Sequence, residues 1–187
     1  MQTAENLRMT THDFLAWEAS QTEKHEFVAG EVFAMVGALR EHVMVSLNIA
    51  SALKQRLRGK PCHTYIADLK LRVEATDAFF YPDVMVSCDT NDNKAEQFIS
   101  NPTLIIEVLS DSTAAYDRGD KFAAYRSLES LQEYVIVDID SRRVECFRRT
   151  MENEWLLHDY HGDVACQFHS LDIDITLADI FEDIEPA

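Results

Sequence analysis

At 187 residues the chain suits one domain that buries about 70% of the surface its unfolded form would expose, and apolar and charged fractions of 47% and 27% exclude extended disorder. Lys and Arg number 17 against 33 Asp and Glu, so the formal net charge of −16 argues against non-specific attraction of the whole surface to nucleic acid or anionic membranes. No stretch has the length and hydropathy of a membrane span, and the first residues lack the apolar core of a signal peptide, so a cytoplasmic protein with no membrane partner is expected.

Residues 1–9 read as a flexible lead into a single domain. Thr10-Thr11-His12-Asp13 resembles a helix start, and Phe14-Leu15-Ala16-Trp17 supplies the apolar stripe of a short first helix. Lys24 to Met35 reads as a hairpin turning at Ala29-Gly30, with Glu26 and Glu31 bracketing the turn. From about Ala38 to Arg58, Val45, Ile49, Leu53 and Leu57 recur at helical spacing, and Gly59 closes the helix behind basic residues that suit its C-terminal dipole. Cys62 to Ile66 and Leu69 to Val73 are strand-like; in the second, Lys70 and Arg72 share a face. Two apolar runs, Phe79 to Val86 and Leu104 to Leu109, then read as largely buried strands separated by a polar loop. Ser110-Asp111-Ser112-Thr113 is rich in capping residues, and Asp117 with Asp120 resembles a helix start, predicting a helix from about Arg118 to Leu128 that carries Lys121 and Tyr125. Tyr134 to Val137 is a buried strand, Arg143 to Arg148 and Glu154 to Leu157 two further antiparallel ones, and Ala178 to Phe181 a last helical turn. Cys62, Cys88, Cys146 and Cys166 are widely spaced with no Cys-x-x-Cys pair, so reduced thiols are expected.

Charge is unevenly placed. Arg40, Lys54, Arg56, Arg58, Lys60, Lys70 and Arg72 face only Glu41 and Asp68 between residues 40 and 72, whereas residues 171 to 187 carry acids and no Lys or Arg. A basic surface can therefore coexist with an acidic whole.

Two acids sit where burial makes them costly. Asp83 interrupts the first apolar run and Glu107 the second, and a carboxylate there needs hydrogen bonds, a cation or a metal. Alternation places Tyr81, Asp83 and Met85 on one face, and Ile105, Glu107 and Leu109 on one face of the next strand. If the strands are neighbours in register the acids converge, and a hard divalent ion such as magnesium accepts such oxygen ligands. A structural salt bridge with Lys121 is the competing reading.

Pro82-Asp83, Glu107, Ser110, Thr113, Asp117-Arg118 and Lys121, in that order, resemble the signature of the PD-(D/E)XK nuclease superfamily, and most closely its Uma family of restriction-endonuclease-like proteins. His25 to Val32 resembles that family's N-terminal hairpin, His42 the histidine opening its second helix, and Glu133-Tyr134 with Asp138 its late strand. The superfamily normally holds acid and lysine on one strand as Glu-x-Lys. Here leucine fills the lysine position at Leu109, and the resemblance implies that Lys121 takes the role from the following helix.

The resemblance implies an α/β, restriction-endonuclease-like single domain with a mixed, mainly antiparallel central sheet flanked by helices. It implies a magnesium or manganese ion held by Asp83, Glu107 and the carbonyl of Val108, with Lys121 orienting water or offsetting phosphate charge. Glu31, and behind it Glu26, would add an outer carboxylate; His42, Arg118, Lys70 and Arg72 are the expected substrate contacts. The expected activity is endonucleolytic hydrolysis of nucleic acid, DNA in the first instance, by a homodimer. The competing functions are a catalytically inactive nuclease-fold binding or assembly module, and a hydrolase of a smaller phosphate ester.

Overall fold

The computed structural model describes residues 8–35, 37–110 and 112–185. The expected flexible lead therefore lies outside the described residues except for Arg8 and Met9, as does Asp111 of the capping-rich run. Helix α1 (Thr11–Glu18) starts where the Thr10 hydroxyl accepts the Asp13 amide at 3.2 Å, and it buries Phe14 against Phe27, Val32 and Phe79. Strands β1 (His25–Val28) and β2 (Glu31–Ala34) form the expected hairpin. Ala29 and Gly30 have φ of 48° and 93°, the left-handed pair that a two-residue turn needs to match strand twist. Helix α2 (Arg40–Arg56) buries Val45, Ile49, Ala50 and Leu53 along one face.

Strands β3 (His63–Ile66), β4 (Lys70–Val73), β5 (Ala78–Phe80), β6 (Val84–Ser87), β7 (Phe98–Ile99) and β8 (Pro102–Val108) come next. A helical stretch then runs as α3 (Ala114–Tyr116), a π-helical turn (Asp117–Lys121) and α4 (Phe122–Tyr125). Strands β9 (Glu133–Asp138), β10 (Arg143–Arg149), β11 (Trp155–Tyr160), β12 (Ala165–Phe168) and β13 (Ile173–Thr176) precede a last turn, α5 (Leu177–Ile180). None of the helices is long and apolar enough to cross a membrane among the described residues.

The mixed, mainly antiparallel character holds, but the expected central sheet is two sheets. One is six-stranded, ordered β11-β10-β9-β8-β6-β3 with β8 and β9 parallel; the other is five-stranded, ordered β2-β1-β5-β4-β7 with β4 and β7 parallel. The division comes from Pro82. Lacking an N–H to donate to a ladder, it cuts the apolar run 79–86: β5 ends in the five-stranded sheet and β6 begins in the six-stranded one. Asp83 thus lies in the break between two strands, and not within one as its surroundings predict.

The six-stranded sheet is covered on both faces. Val84, Val86, Leu104, Ile106 and Val135 pack under α2, the β12–β13 hairpin and α5. Met85, Ile105, Tyr134 and Ile136 pack with Tyr125, Leu128, Leu131 and the five-stranded sheet's Leu71, Val73 and Phe80. Each large aliphatic side chain so buried contributes about 1.5–3 kcal/mol. Glu107 follows Ile105 onto the second face, as alternation predicts.

The cysteines depart from expectation. Register between β3 and β6 sets His63 against Ser87, so Cys62 and Cys88 come face to face and are joined as a disulfide; Cys146 and Cys166 are free and buried. A sequence separation of 26 residues carries no sign of this cross-strand pairing.

Candidate active site

Asp83 and Glu107 hold each other's backbone surroundings. The amide of Asp83 donates to Glu107 Oε2 at 3.3 Å, and the amide of Val108 donates to Asp83 Oδ2 at 2.8 Å. The β6–β8 ladder produces this reciprocity, since Val84 opposes Ile106 and the residues preceding Val84 continue alongside those following Ile106. His42, in the first turn of α2, brings Nε2 to 3.2 Å from the same Asp83 oxygen.

Lys121 reaches the pair from the opposite side. Its Nζ lies 3.1 Å from Glu26 Oε1, 3.2 Å from Glu107 Oε1 and 3.3 Å from Asp117 Oδ1. The π-helical turn begins at Asp117 and ends at Lys121, and its start is tied down by the Tyr134 hydroxyl, which donates to the Asp117 carbonyl at 2.8 Å. One turn on, the Tyr125 hydroxyl donates to Glu107 Oε1 at 2.8 Å. Glu26 also receives the amide of Tyr81 at 3.5 Å, and the Tyr81 hydroxyl donates to Glu18, which contacts His25 at 3.0 Å.

Four carboxylates, those of Glu26, Asp83, Glu107 and Asp117, therefore converge on one ammonium and one imidazole. Burial pushes Glu107 up to about 8; Lys121 counteracts this, while Asp117, Asp83 and Glu26 add to it. Burial draws Lys121 down, but Glu107, Glu26 and Asp117 outweigh it and hold the lysine well above its usual range. These two directions compete for one ion pair, because a neutral Glu107 would support Lys121 less. Lys121 keeps its charge, since Glu26 and Asp117 also hold it, and the surplus negative charge appears as the raised Glu107. Burial lowers His42, yet bonding to Asp83, the charge of Asp83 and the backbone of Val108 raise it overall. Burial and the neighbouring Glu107 raise both Tyr125 and Tyr134, keeping Tyr125 a hydrogen-bond donor. Among the described residues, the buried Glu26 Oε2 has no hydrogen-bond partner, and the buried Asp117 Oδ1 has only its ionic contact with Lys121.

Of the residues expected from sequence, Asp83, Glu107, Val108, Lys121 and His42 come together. Glu31 does not join them: it begins β2, half-exposed, 4.0 Å from Arg8, while Glu26 is the hairpin acid turned into the cluster. Arg72 is engaged by Asp77 at 2.7 Å and the carbonyl of Ala78, with its guanidinium over Phe79. Lys70 lies over the Tyr81 ring, and Arg118 pairs with Glu145. Asp117 reads from sequence as a helix start and as part of the family-like set with Arg118, with no site role given to it; its four-residue spacing from Lys121 is the signal of an ion pair. Glu18 escapes sequence reasoning as well, although its spacing from Phe14 sets it on the buried face of α1.

Among the described residues, no three or more His, Cys, Asp or Glu side chains are disposed to hold a metal ion.

A family model named Uma2 and described as "Putative restriction endonuclease" matches residues 11–178. The chain is 33% identical over 174 residues to "Uncharacterized protein slr1290" of Synechocystis sp., covering 93% of this chain and 92% of that one. It is 34% identical over 160 residues to "Uncharacterized protein sll1609" of the same organism, covering 84% and 90%. In fold it is similar to the crystal structure of a "putative nuclease belonging to DUF820" from Anabaena variabilis, with TM-score 0.76 and 15% identity over 92% of this chain and 97% of that one.

Proposed function

The chain belongs to the Uma2 family, and from that premise we propose that it is a divalent-metal-dependent endonuclease hydrolysing DNA phosphodiester bonds. The observation that carries the reading is the convergence of Asp83 and the Val108 backbone on one side of the Glu107 carboxylate, with Lys121 on the other. Surplus carboxylate charge, marked by a Glu26 Oε2 that has no hydrogen-bond partner among the described residues, fits a site that takes a cation.

Magnesium or manganese would be held by Asp83, Glu107 and the Val108 carbonyl. Bound there, the ion supplies Lewis-acid stabilisation of phosphate charge and acidification of water. The chain's own residues position these groups. Val108 and His42 fix Asp83 through Oδ2, leaving Oδ1 without a hydrogen bond among the described residues. Tyr125 and Lys121 fix Glu107 through Oε1, leaving Oε2 toward Asp83. An ammonium has three N–H groups, and those of Lys121 face three carboxylates within 3.3 Å. Lys121 therefore reaches a phosphate or a water only by releasing one of them. That saturation is also what favours the second reading, an inert nuclease fold used as a binding module.

Plasmid cleavage separates the two. With magnesium or manganese, wild-type protein is expected to nick or linearise supercoiled DNA, chelator to stop it, and Asp83→Ala, Glu107→Ala and folded Lys121 variants to lose it. Absence of cleavage together with absence of calorimetric metal binding dependent on Asp83 and Glu107 assigns the chain to the inert module. A homodimer bringing two such sites to one duplex belongs to the same proposal; light scattering that returns one protomer's mass on and off DNA removes it.

A further inference from the structure

We infer that the cleft at the C-terminal end of α2 is a second phosphate-binding site, one that grips the nucleic-acid backbone about five nucleotides from the cleavage position. The inference rests on the nuclease reading and extends it to a surface remote from the acids. The cleft encloses about 750 Å³ between the last turns of α2, the following turn and β3. Lys54, Arg58, Lys60 and His63 line it, and no Asp or Glu does. In a chain with 33 acids and 17 Lys and Arg, an acid-free basic cavity locally reverses the sign of the whole.

The lining groups are free to bind. Lys54 and Arg58 are exposed and form no ion pair with any described residue, whereas Arg56 turns away to Asp179 at 3.5 Å. Among the described residues, the Lys60 ammonium donates only to the Leu171 carbonyl, at 3.4 Å. The hydroxyl of Thr64, also in the lining, is buried and has no hydrogen-bond partner among the described residues. The C-terminus of α2 brings about half a negative charge, which three full cations outweigh. The floor is rigid: Cys62 is tied to Cys88, the Tyr65 hydroxyl donates to Asn93 at 3.0 Å, and Asn93 donates to the Pro61 carbonyl at 3.1 Å. Binding therefore orders the side chains of Lys54, Arg58 and Lys60 on a backbone that is already fixed.

Helix α2 sets the distance to the acids. His42 contacts Asp83 in its first turn and Lys54 stands twelve residues on, about 18 Å along the axis. At about 3.4 Å per nucleotide of a strand this spans about five nucleotides. A nucleic acid cut at Asp83 and Glu107 and running along α2 would bring its backbone to the cleft, and a free phosphate or nucleotide would offer the same chemistry without the span.

The test is fluorescence anisotropy of the full chain with a labelled DNA duplex, metal-free, across a salt series, comparing wild type with the Lys54→Gln/Arg58→Gln double variant. Each lost phosphate contact removes about 0.9 from the log–log salt slope, so the affinity wild type loses between about 50 and 200 mM salt should shrink about tenfold in the variant. Lys54→Arg/Arg58→Lys should keep the wild-type slope. Equal slopes in wild type and the Gln variant overturn the inference, and so does a difference that vanishes when chloride is replaced by inorganic phosphate at matched ionic strength, which marks a free-anion site. Asp83→Asn keeps the two proposals apart: it should abolish plasmid cleavage and leave the salt slope unchanged. Metal-dependent cleavage with no slope change on altering the cleft sinks only the cleft, and wild type that neither binds nor cuts DNA sinks both.

Discussion

Burial holds Glu107 neutral over a pH range in which an ordinary glutamate is charged, with its value pushed up to about 8 from 4.5. Between those values the folded protein carries a proton that the unfolded chain has released, so stability must fall as pH rises through that window. Glu107→Gln is permanently neutral and should flatten the decline, on the order of 4 kcal/mol in urea unfolding compared at its two ends. A pH-stability profile as steep in the variant as in wild type would place the proton elsewhere. Lys121 sets the opposite balance. Removing it strands the buried Glu26 and Asp117 and takes a partner from Glu107, so Lys121→Ala should cost about 3–5 kcal/mol. Adding Glu26→Gln should recover part of that loss, measurable by the same unfolding curves; no recovery would mean that Glu26 is not a principal partner. Cleavage assays on Lys121 variants therefore need a folding control.

One element decides whether these residues meet, and another how firmly the sheet holds the β12–β13 hairpin. The helix expected from Arg118 begins instead at Ala114 and passes through the π-helical turn Asp117–Lys121 before Tyr125. One residue fewer in that turn would rotate Lys121 and α4 by about 100°, one α-helical residue step. Deleting Gly119, which is exposed and has open space around its Cα, should therefore abolish cleavage with far-ultraviolet circular dichroism near wild type. Retained activity would show that Lys121 does not depend on the turn. The second element is β9. Its Glu133 accepts from Arg148 Nε at 2.9 Å, from the amides of His169 and Ser170 at 3.0 Å each, and from the Ser170 hydroxyl, binding the β12–β13 connection to the sheet. Glu133→Ala takes the carboxylate partner from Arg148, whose Nη2 keeps the Tyr160 hydroxyl and the Gln167 carbonyl, and leaves two amides unpaired; it should cost about 3 kcal/mol or more. Hydrogen exchange should locate the loosening at residues 165–176, and uniform protection there would refute the clip.

At the scale of the molecule, the site is a seam. Glu26 comes from the five-stranded sheet, Glu107 from the six-stranded one, Asp83 from the crossing between them, and Lys121 from the helix beneath. A cation bound across Asp83 and Glu107 should stabilise the whole fold by about 2.7 kcal/mol at a hundred times its dissociation constant. Thermal unfolding with increasing manganese should rise accordingly in wild type and stay flat in Asp83→Ala; equal rises in both would locate the metal elsewhere.

Sequence alone determined most of the elements and the two central acids. Periodicity is local, as in Val45, Ile49 and Leu53 of α2, and Glu107 among Leu, Ile and Val is conspicuous wherever it is read. The Uma family likeness, legible in Pro82-Asp83, Glu107 and Lys121, is the one to which the family model attests over residues 11–178. Tertiary structure decided what depends on register and on the path of the chain. Pro82 split one apolar run between two sheets, the β3–β6 pairing joined Cys62 to Cys88, and the hairpin turned Glu26 inward while Glu31 stayed at the surface. Each outcome rests on contacts between segments far apart in sequence, where a one-residue shift in register reverses which face a side chain occupies.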